Sequence, residues 1–340
     1  MDPREPSSVV ALRRLVNGYQ VSQALHVAAT LGIADLLAAG PRTSAEIAAA
    51  VGAHPRALYR LLRTLASLGV FHEDDTAEHR FALTPLGEGL RTDTPDSVAG
   101  WAAYIGQPYS WSAWAQLLHS VQTGENAFRQ VHGMDVWEYR AQHPDDSAAF
   151  DRAMTANTRQ RLAALLAAYD FSRFATIVDV GGGRGAFLAA LLAAYPTAHG
   201  VLFDRPHVVA GAETELRAAG IADRCRITGG DFFQAVPTGG DAYVLMQIVH
   251  DWEDAEATAI LRRCREAMRA DARLLVIEWE LLEPNAGAEG KLTDLVMLVT
   301  AGGQERTRSE YAALFAAAGF QLAAVTPTTS GWSIFEGALA

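Results

Sequence analysis

The chain has 340 residues, half of them hydrophobic, and a formal net charge of -11. That length exceeds the usual single core and predicts more than one domain, while the acidic balance argues against affinity for nucleic acid or anionic membrane, since both need a basic surface. Cys225 and Cys264 lack metal-ligand spacing, no apolar run reaches membrane-spanning length, and the opening Met1-Asp2-Pro3-Arg4-Glu5-Pro6 lacks the apolar core of a signal peptide; we therefore expect a reduced cytoplasmic setting, no metal and a small-molecule partner.

Between Val9 and Leu37 apolar residues recur at three- and four-residue spacing (Leu12, Leu15, Val16, Tyr19, then Leu25, Ala28, Leu31), which predicts amphipathic helices that need a partner surface. Thr43-Ser44-Ala45-Glu46 has the form of a capping box opening a helix. Gly52-Ala53-His54-Pro55 breaks that helix before a second one from Arg56 to Leu68. Gly69 to His72 and Arg80 to Thr84 read as short strands across an acidic turn, completing a winged-helix order. In a DNA reader the helix carrying Arg56, Arg60 and Arg63 would enter the major groove, but Glu73, Asp74 and Asp75 at the wing tip oppose that use. A helical stretch follows from about Pro95 to Tyr169, with Trp101, Tyr104, Trp111, Trp114, Phe128, Trp137 and Tyr139 expected mostly in the core.

From there apolar, β-rich segments alternate with helical ones. Strands are predicted at Thr176 to Val180, Gly200 to Phe203, Cys225 to Thr228, Ala242 to Gln247 and Arg273 to Glu278, with a last pair at Gln321 to Thr326 and Trp332 to Gly337. This alternation predicts an α/β, Rossmann-like doubly wound sheet with ligands at the carboxyl ends of its strands.

Val178-Asp179-Val180-Gly181-Gly182-Gly183-Arg184-Gly185 lies between the first of these strands and the apolar helix from Phe187 to Ala194. Alternate glycines permit a sharp turn and close approach of a ligand beside the positive end of a helix. Gly181-x-Gly183-x-x-Ala186 fits a dinucleotide fingerprint, whereas Asp179-x-Gly181-x-Gly183-x-Gly185 fits the S-adenosylmethionine pattern. The acid at Asp179 favours the latter, because it would repel a pyrophosphate and attract a cationic methionine ammonium. Asp204 ends the next strand about twenty residues on, where an acid takes ribose hydroxyls in either case. Gly230-Asp231-Phe232-Phe233 sets an acceptor beside aromatic rings that suit an adenine.

The apolar run Ala242 to Val249 delivers His250-Asp251-Trp252 to the cofactor end of the sheet, so His250 is placed for acid–base chemistry. Glu278 ends the next strand, and Glu305 lies in the loop Gly302-Gly303-Gln304-Glu305-Arg306-Thr307.

On the Asp179-to-Gly185 loop, Asp204-Arg205-Pro206-His207, Gly230-Asp231-Phe232-Phe233, His250-Asp251-Trp252 with Asp254, and Gly302 to Thr307, the chain resembles the small-molecule O-methyltransferases of plant phenylpropanoid and bacterial natural-product metabolism. The resemblance spans essentially the whole chain. It implies that His250 is the general base, that Glu278 and Glu305 flank its imidazole, and that Gly181, Asp204, Asp231 and Phe232 hold S-adenosylmethionine, which together with the motif reading gives a cofactor set of Asp179, Gly181, Gly183, Asp204, Arg205, Gly230, Asp231, Phe232 and Met246. It also implies a homodimer in which a winged-helix domain closes the neighbouring substrate pocket. Residues 1–95 would then be the dimerisation domain, 96–165 a helical connector contributing to the pocket, and 166–340 the methyltransferase domain. Two positions depart from the family: Met246 stands where many relatives carry Lys or a small polar residue, and Arg205 where plant members carry an apolar one. Met154, Asn157, Trp279, Met297 and Leu298 are nominated for the acceptor pocket. The expected activity is methylation of a phenolic hydroxyl in secondary metabolism; the alternatives are non-methylating chemistry on the same scaffold (hydroxylation, decarboxylation or pericyclic reaction) and a winged-helix regulator.

Overall fold

Thr43 caps the helix Ser44–Val51 as the sequence predicts: its hydroxyl accepts from Glu46 N while Glu46 accepts from Thr43 N. Such reciprocal capping satisfies two amide groups that the first helical turn would leave open. The helix Pro55–Ser67 follows, with proline preset for a first turn. Its buried Leu58, Leu62 and Leu65 pack with Ile33, Ile47, Phe71 and Phe81.

The structure, a computed structural model, describes residues 7–75 and 78–340. The signal-peptide expectation falls on Met1 to Pro6, outside the described residues. Two units are resolved: one holds the described residues up to Trp111 together with Asp145–Gln160, the other Ser112–Pro144 and Arg161–Ala340. The stretch 96–165, expected as one connector, is therefore divided between them.

In the first unit, strands β1 (Arg42–Thr43), β2 (Phe71–Glu73) and β3 (Arg80–Leu83) form an antiparallel sheet in the order β1-β3-β2, completing the winged helix. β1, two residues long, carries no alternation by which the sequence would reveal it. The helix Ser8–Val16 buries no residue, and Leu12, Leu15 and Val16 are 62%, 79% and 67% exposed.

The second unit is built on β4 (Thr176–Val180), β5 (His199–Asp204), β6 (Cys225–Gly229), β7 (Ala242–Met246), β8 (Arg273–Trp279), β9 (Phe320–Pro327) and β10 (Trp332–Leu339), in the order β6-β5-β4-β7-β8-β10-β9. β4 to β8 pair in parallel, and β10 lies antiparallel to both β8 and β9. Side chains alternate between two cores: Leu202, Val244, Ile277 and Ile334 belong to one, Val201, Leu245, Val276 and Phe335 to the other. Burial on both faces explains why these strands read as continuous apolar runs. The strand order turns between β4 and β7, the place where such sheets open a crevice at their carboxyl ends.

One strand is shorter than its pattern. β7 stops at Met246: Gln247 still donates its N–H to Ile277 O at 3.0 Å, but its φ of +57 ends the extended run. Of the aromatics expected in the core, Tyr104 and Phe128 are buried, whereas Trp101 is 37% exposed.

Candidate active site

β4 runs into the glycine loop, where Gly181 and Gly183 take φ +76 and +59. A Cβ at Gly181 would stand 2.4 Å from Ile248 Cδ1 and push that side chain aside, while the positive φ itself favours glycine; beside Gly183 the space is open for 4 Å. The loop is tied to the end of β5: Gly181 N donates to Phe203 O at 2.7 Å and Gly183 N to Asp204 Oδ2 at 2.8 Å. Asp204 Oδ1 accepts from Arg205 N at 2.6 Å, and Gly230 N, just beyond β6, donates to Asp204 O at 2.9 Å. The structure thus gathers Gly181, Gly183, Asp204, Arg205 and Gly230 through the main chain. The Arg205 side chain is exposed.

Asp231 is exposed, and its Oδ1 accepts from Phe233 N at 2.9 Å. Phe232 meets Trp252 edge-on at 6.0 Å, and Met246 sits half-buried at the end of β7. These nine cofactor candidates occupy the carboxyl ends of four adjacent strands. Asp179 is 1% exposed, and among the described residues neither carboxyl oxygen has a hydrogen-bond partner. Burial, reinforced by the Asp204 charge, pushes its carboxyl up to about 8. A buried acid without a donor is costly, and a cationic ammonium is the kind of group that would compensate it. The open face of the glycine loop and the Asp179 carboxyl therefore fit the amino-acid end of S-adenosylmethionine.

His250 sits on the short turn Val249–Asp251 after β7 and is 5% exposed. Its Nδ1 lies 2.6 Å from Glu305 Oε1 and 3.6 Å from Glu278 Oε2, and its Nε2 lies 3.7 Å from Asp251 Oδ1. The three expected residues are brought together, but their roles differ from symmetrical flanking. Glu305 alone is within hydrogen-bond distance of the ring. Glu278 instead accepts from the main chain of the His250 turn: Ile248 N at 3.0 Å, Val249 N at 2.9 Å and His250 N at 3.4 Å on Oε1, with Gln247 Nε2 at 2.7 Å on Oε2.

Burial by itself would lower the imidazole. The charges of Glu278, Glu305 and Asp251 and the Glu305 hydrogen bond outweigh it and hold His250 well above its usual value. Burial likewise pushes Asp251 up to about 6, against the pull of His250 and Arg140. Donor atoms of His250, Glu278 and Glu305 lie within 4.8 Å of one another, a spacing that also suits a cation. The N–H groups directed at both Glu278 oxygens instead make a hydrogen-bonded network.

The loop bearing Glu305 is fixed by residues that sequence reasoning left without a role. Arg306 is 1% exposed; its guanidinium donates to Asp254 Oδ1 at 2.8 Å, Trp252 O at 2.9 Å and Val249 O at 3.3 Å, tying the two loops together. Glu305 N donates to Asp294 Oδ1 at 2.9 Å. A Cβ at Gly303 would come within 2.2 Å of His250 O, so the two backbones approach as only glycine allows. Arg306 and Asp254 belong to the motifs Gly302 to Thr307 and His250 to Asp254; their pairing across loops is a tertiary fact.

Of the acceptor candidates, Met297 is buried and opens the π-helical turn Met297–Ala301, which packs on the turn Val249–Asp251. Leu298 O accepts from Asn126 Nδ2 at 3.0 Å. Trp279 is not brought to His250: it faces the opposite side of β8 from Glu278, in the core cluster of Trp332, with the Arg161 guanidinium 5.8 Å from its ring. Met154 and Asn157 lie on the helix Pro144–Ala168, within the other unit.

A glycine loop at the turning point of the parallel strands, an uncompensated acid beneath it and a buried His–Glu pair, formed by the turn after the adjacent strand and the loop Gly302 to Thr307, together make the site of a methyltransferase that uses S-adenosylmethionine. Residues 114–321 match the O-methyltransferase domain and residues 13–93 the O-methyltransferase dimerisation domain, and the chain belongs to this family. The phenazine O-methyltransferase PhzM of Lysobacter antibioticus is 47% identical over 325 residues, covering 96% of this chain and 94% of that one. The 8-amino-8-demethylriboflavin N,N-dimethyltransferase of Streptomyces davaonensis is 38% identical over 342 residues, covering 98% and 97%. The crystal structure of the O-methyltransferase NcsB1 from neocarzinostatin biosynthesis, in complex with S-adenosylmethionine and 2-hydroxy-5-methyl naphthoic acid, is similar at TM-score 0.80 with 37% identity, covering 94% of this chain and 96% of that one. Among the described residues no helix is long and apolar enough to cross a membrane.

Proposed function

We propose that this methyltransferase acts on a hydroxyl of a phenolic or related aromatic small molecule in secondary-metabolite biosynthesis, with His250 as the general base. The observation that carries the reading is the His250–Glu305 pair, with Nδ1 held at 2.6 Å; a proton on Nδ1 toward the carboxylate makes Nε2 the acceptor. Bound S-adenosylmethionine supplies an electrophilic methyl group on a sulfonium.

A phenol of pKa about 10 facing an ordinary imidazole of about 6.5 leaves proton transfer uphill by roughly 5 kcal/mol. Glu305, Glu278 and Asp251 reduce that gap by stabilising the imidazolium, and burial of the pair excludes competing water. An amine acceptor is nucleophilic without losing a proton first, so a buried, acid-supported imidazole favours a hydroxyl. Relatives named for N-methylation, the riboflavin N,N-dimethyltransferase among them, make the attacking atom the point to test.

Asp179, Gly181, Gly183, Asp204, Arg205, Gly230, Asp231, Phe232 and Met246 are our cofactor set; the Met246 thioether can pack on an adenine without donating to it. Met297 and Leu298 are retained for the acceptor pocket; Met154 and Asn157 stay candidates on the sequence alone. For assembly we propose a homodimer in the cytoplasm, supported by the dimerisation-domain match and the exposed apolar face of Ser8–Val16.

The test pairs each phenol with its aniline analogue and identifies the methylated atom by NMR. Methyl groups on oxygen support the reading, and turnover confined to the anilines overturns it.

A further inference from the structure

Gln247 is unusual in its geometry on two counts. It is a non-glycine residue at φ +57, directly between β7 and the turn that carries His250. Its carboxamide donates to Glu278 Oε2 at 2.7 Å, and that same oxygen is the one 3.6 Å from His250 Nδ1. Its backbone N–H donates to Ile277 O at 3.0 Å, so the left-handed residue is held at both main chain and side chain. Backbone cost of this kind persists only where the surroundings impose it.

His250 Nδ1 can present one proton, yet two buried carboxylates stand beside it. Glu305 receives it at 2.6 Å. Glu278 Oε1 is engaged by three main-chain N–H groups, and Oε2 is engaged by Gln247 alone among the hydrogen bonds of the described residues. Without the Gln247 donor, Oε2 would compete with Glu305 for the imidazole, and the ring would turn with it.

We propose that Gln247 is a positioning residue that occupies Glu278 Oε2, so that Glu278 holds the backbone of the His250 turn while Glu305 alone orients the imidazole. The inference rests on the reading of His250 as the base. It divides the two glutamates into a main-chain anchor and a ring partner and names the side chain that enforces the division.

The test uses the full-length protein with Gln247→Met, which keeps size and removes the donor, and Gln247→Gly, which also relieves the left-handed backbone. Three quantities are read: kcat as a function of pH, S-adenosylmethionine affinity by calorimetry, and the downfield Nδ1 proton resonance of His250, assigned by its loss in Glu305→Gln. Both variants should lose roughly 10- to 100-fold in kcat, as a small misplacement of a reacting group does. Both should also displace the His250 resonance and the acid limb of the pH profile, with cofactor affinity intact. Wild-type kcat and resonance in Gln247→Gly would show that the donor is dispensable and overturn the proposal. So would a loss explained wholly by weaker cofactor binding. If His250→Ala retained wild-type turnover, the base assignment would fall, whereas the resonance in the Gln247 variants would still report whether Gln247 orients the ring.

Discussion

His250 Nδ1 and Glu305 Oε1 lie 2.6 Å apart, and both residues are buried. A charge-assisted bond of this length favours the protonated ring and fixes which nitrogen faces outward. Glu305→Gln removes that charge, so the imidazole should fall toward its ordinary value. Because the base works in its neutral form, the rise of kcat/KM with pH should shift to lower pH in this variant. The plateau should drop about 10- to 100-fold, matching the roughly 1.5 to 3 kcal/mol of a hydrogen bond to a charged group. A pH–rate series on both proteins measures the shift; an unchanged profile would separate Glu305 from the base.

In the proposed cofactor set, Asp179 would link cofactor binding to stability. Its folded-state value of about 8 lies above the usual carboxylate range. Between about pH 4 and 8 the unfolded chain has released a proton that the folded chain keeps, so stability is lost as pH rises through that window, by roughly 4 kcal/mol at pH 7. Asp179→Asn should therefore be more stable than wild type at pH 7 and nearly equal to it at pH 4. The same variant should bind S-adenosylmethionine more weakly. Urea denaturation at the two pH values, together with calorimetry, checks both halves.

Asp204 receives Gly183 N and Arg205 N on separate oxygens, which holds the glycine loop against β5. Asp204→Ala should weaken S-adenosylmethionine binding by about 1.5 to 3 kcal/mol through lost hydrogen bonds to a charged acceptor. Calorimetric titration reads the change directly, and equal affinity in the two proteins would remove Asp204 from the cofactor set.

The helix Ser8–Val16 leaves Leu12 and Leu15 largely in solvent within one chain. In a dimer that covers them, the double substitution Leu12→Asp, Leu15→Asp should forfeit on the order of 1.5 to 3 kcal/mol of burial per side chain. Light scattering should then report a population moving from twice the chain mass toward one. A wild-type protein that is monomeric and active at assay concentration would contradict the assembly.

Much of this architecture was legible because its signals are local. The capping box at Thr43, the seven apolar strands and the acids after successive strands each follow from spacing and composition. Gln247 escaped detection because Ala242 to Val249 continues apolar past the point where the strand ends, and hydropathy carries no sign of a left-handed φ. Glu278 and Glu305 look equivalent in sequence; their division depends on which N–H groups the folded turn directs at Glu278. The Arg306–Asp254 pair and the Gly303 approach to His250 are contacts between loops about fifty residues apart, which spacing cannot reveal. Trp279 stands on the face of β8 opposite Glu278, a consequence of strand alternation that hydropathy does not weigh.

Whether His250 removes the acceptor's proton is read from the turnover of His250→Ala on an ordinary phenol. At neutral pH the variant should lose roughly 10²- to 10⁴-fold in kcat, the usual contribution of a positioned general base, while binding S-adenosylmethionine as the wild type does. Part of the loss should return at higher pH, where the phenol ionises in solution, and an acceptor with a more acidic hydroxyl should lose less. Near wild-type turnover at neutral pH on an ordinary phenol would contradict the claim.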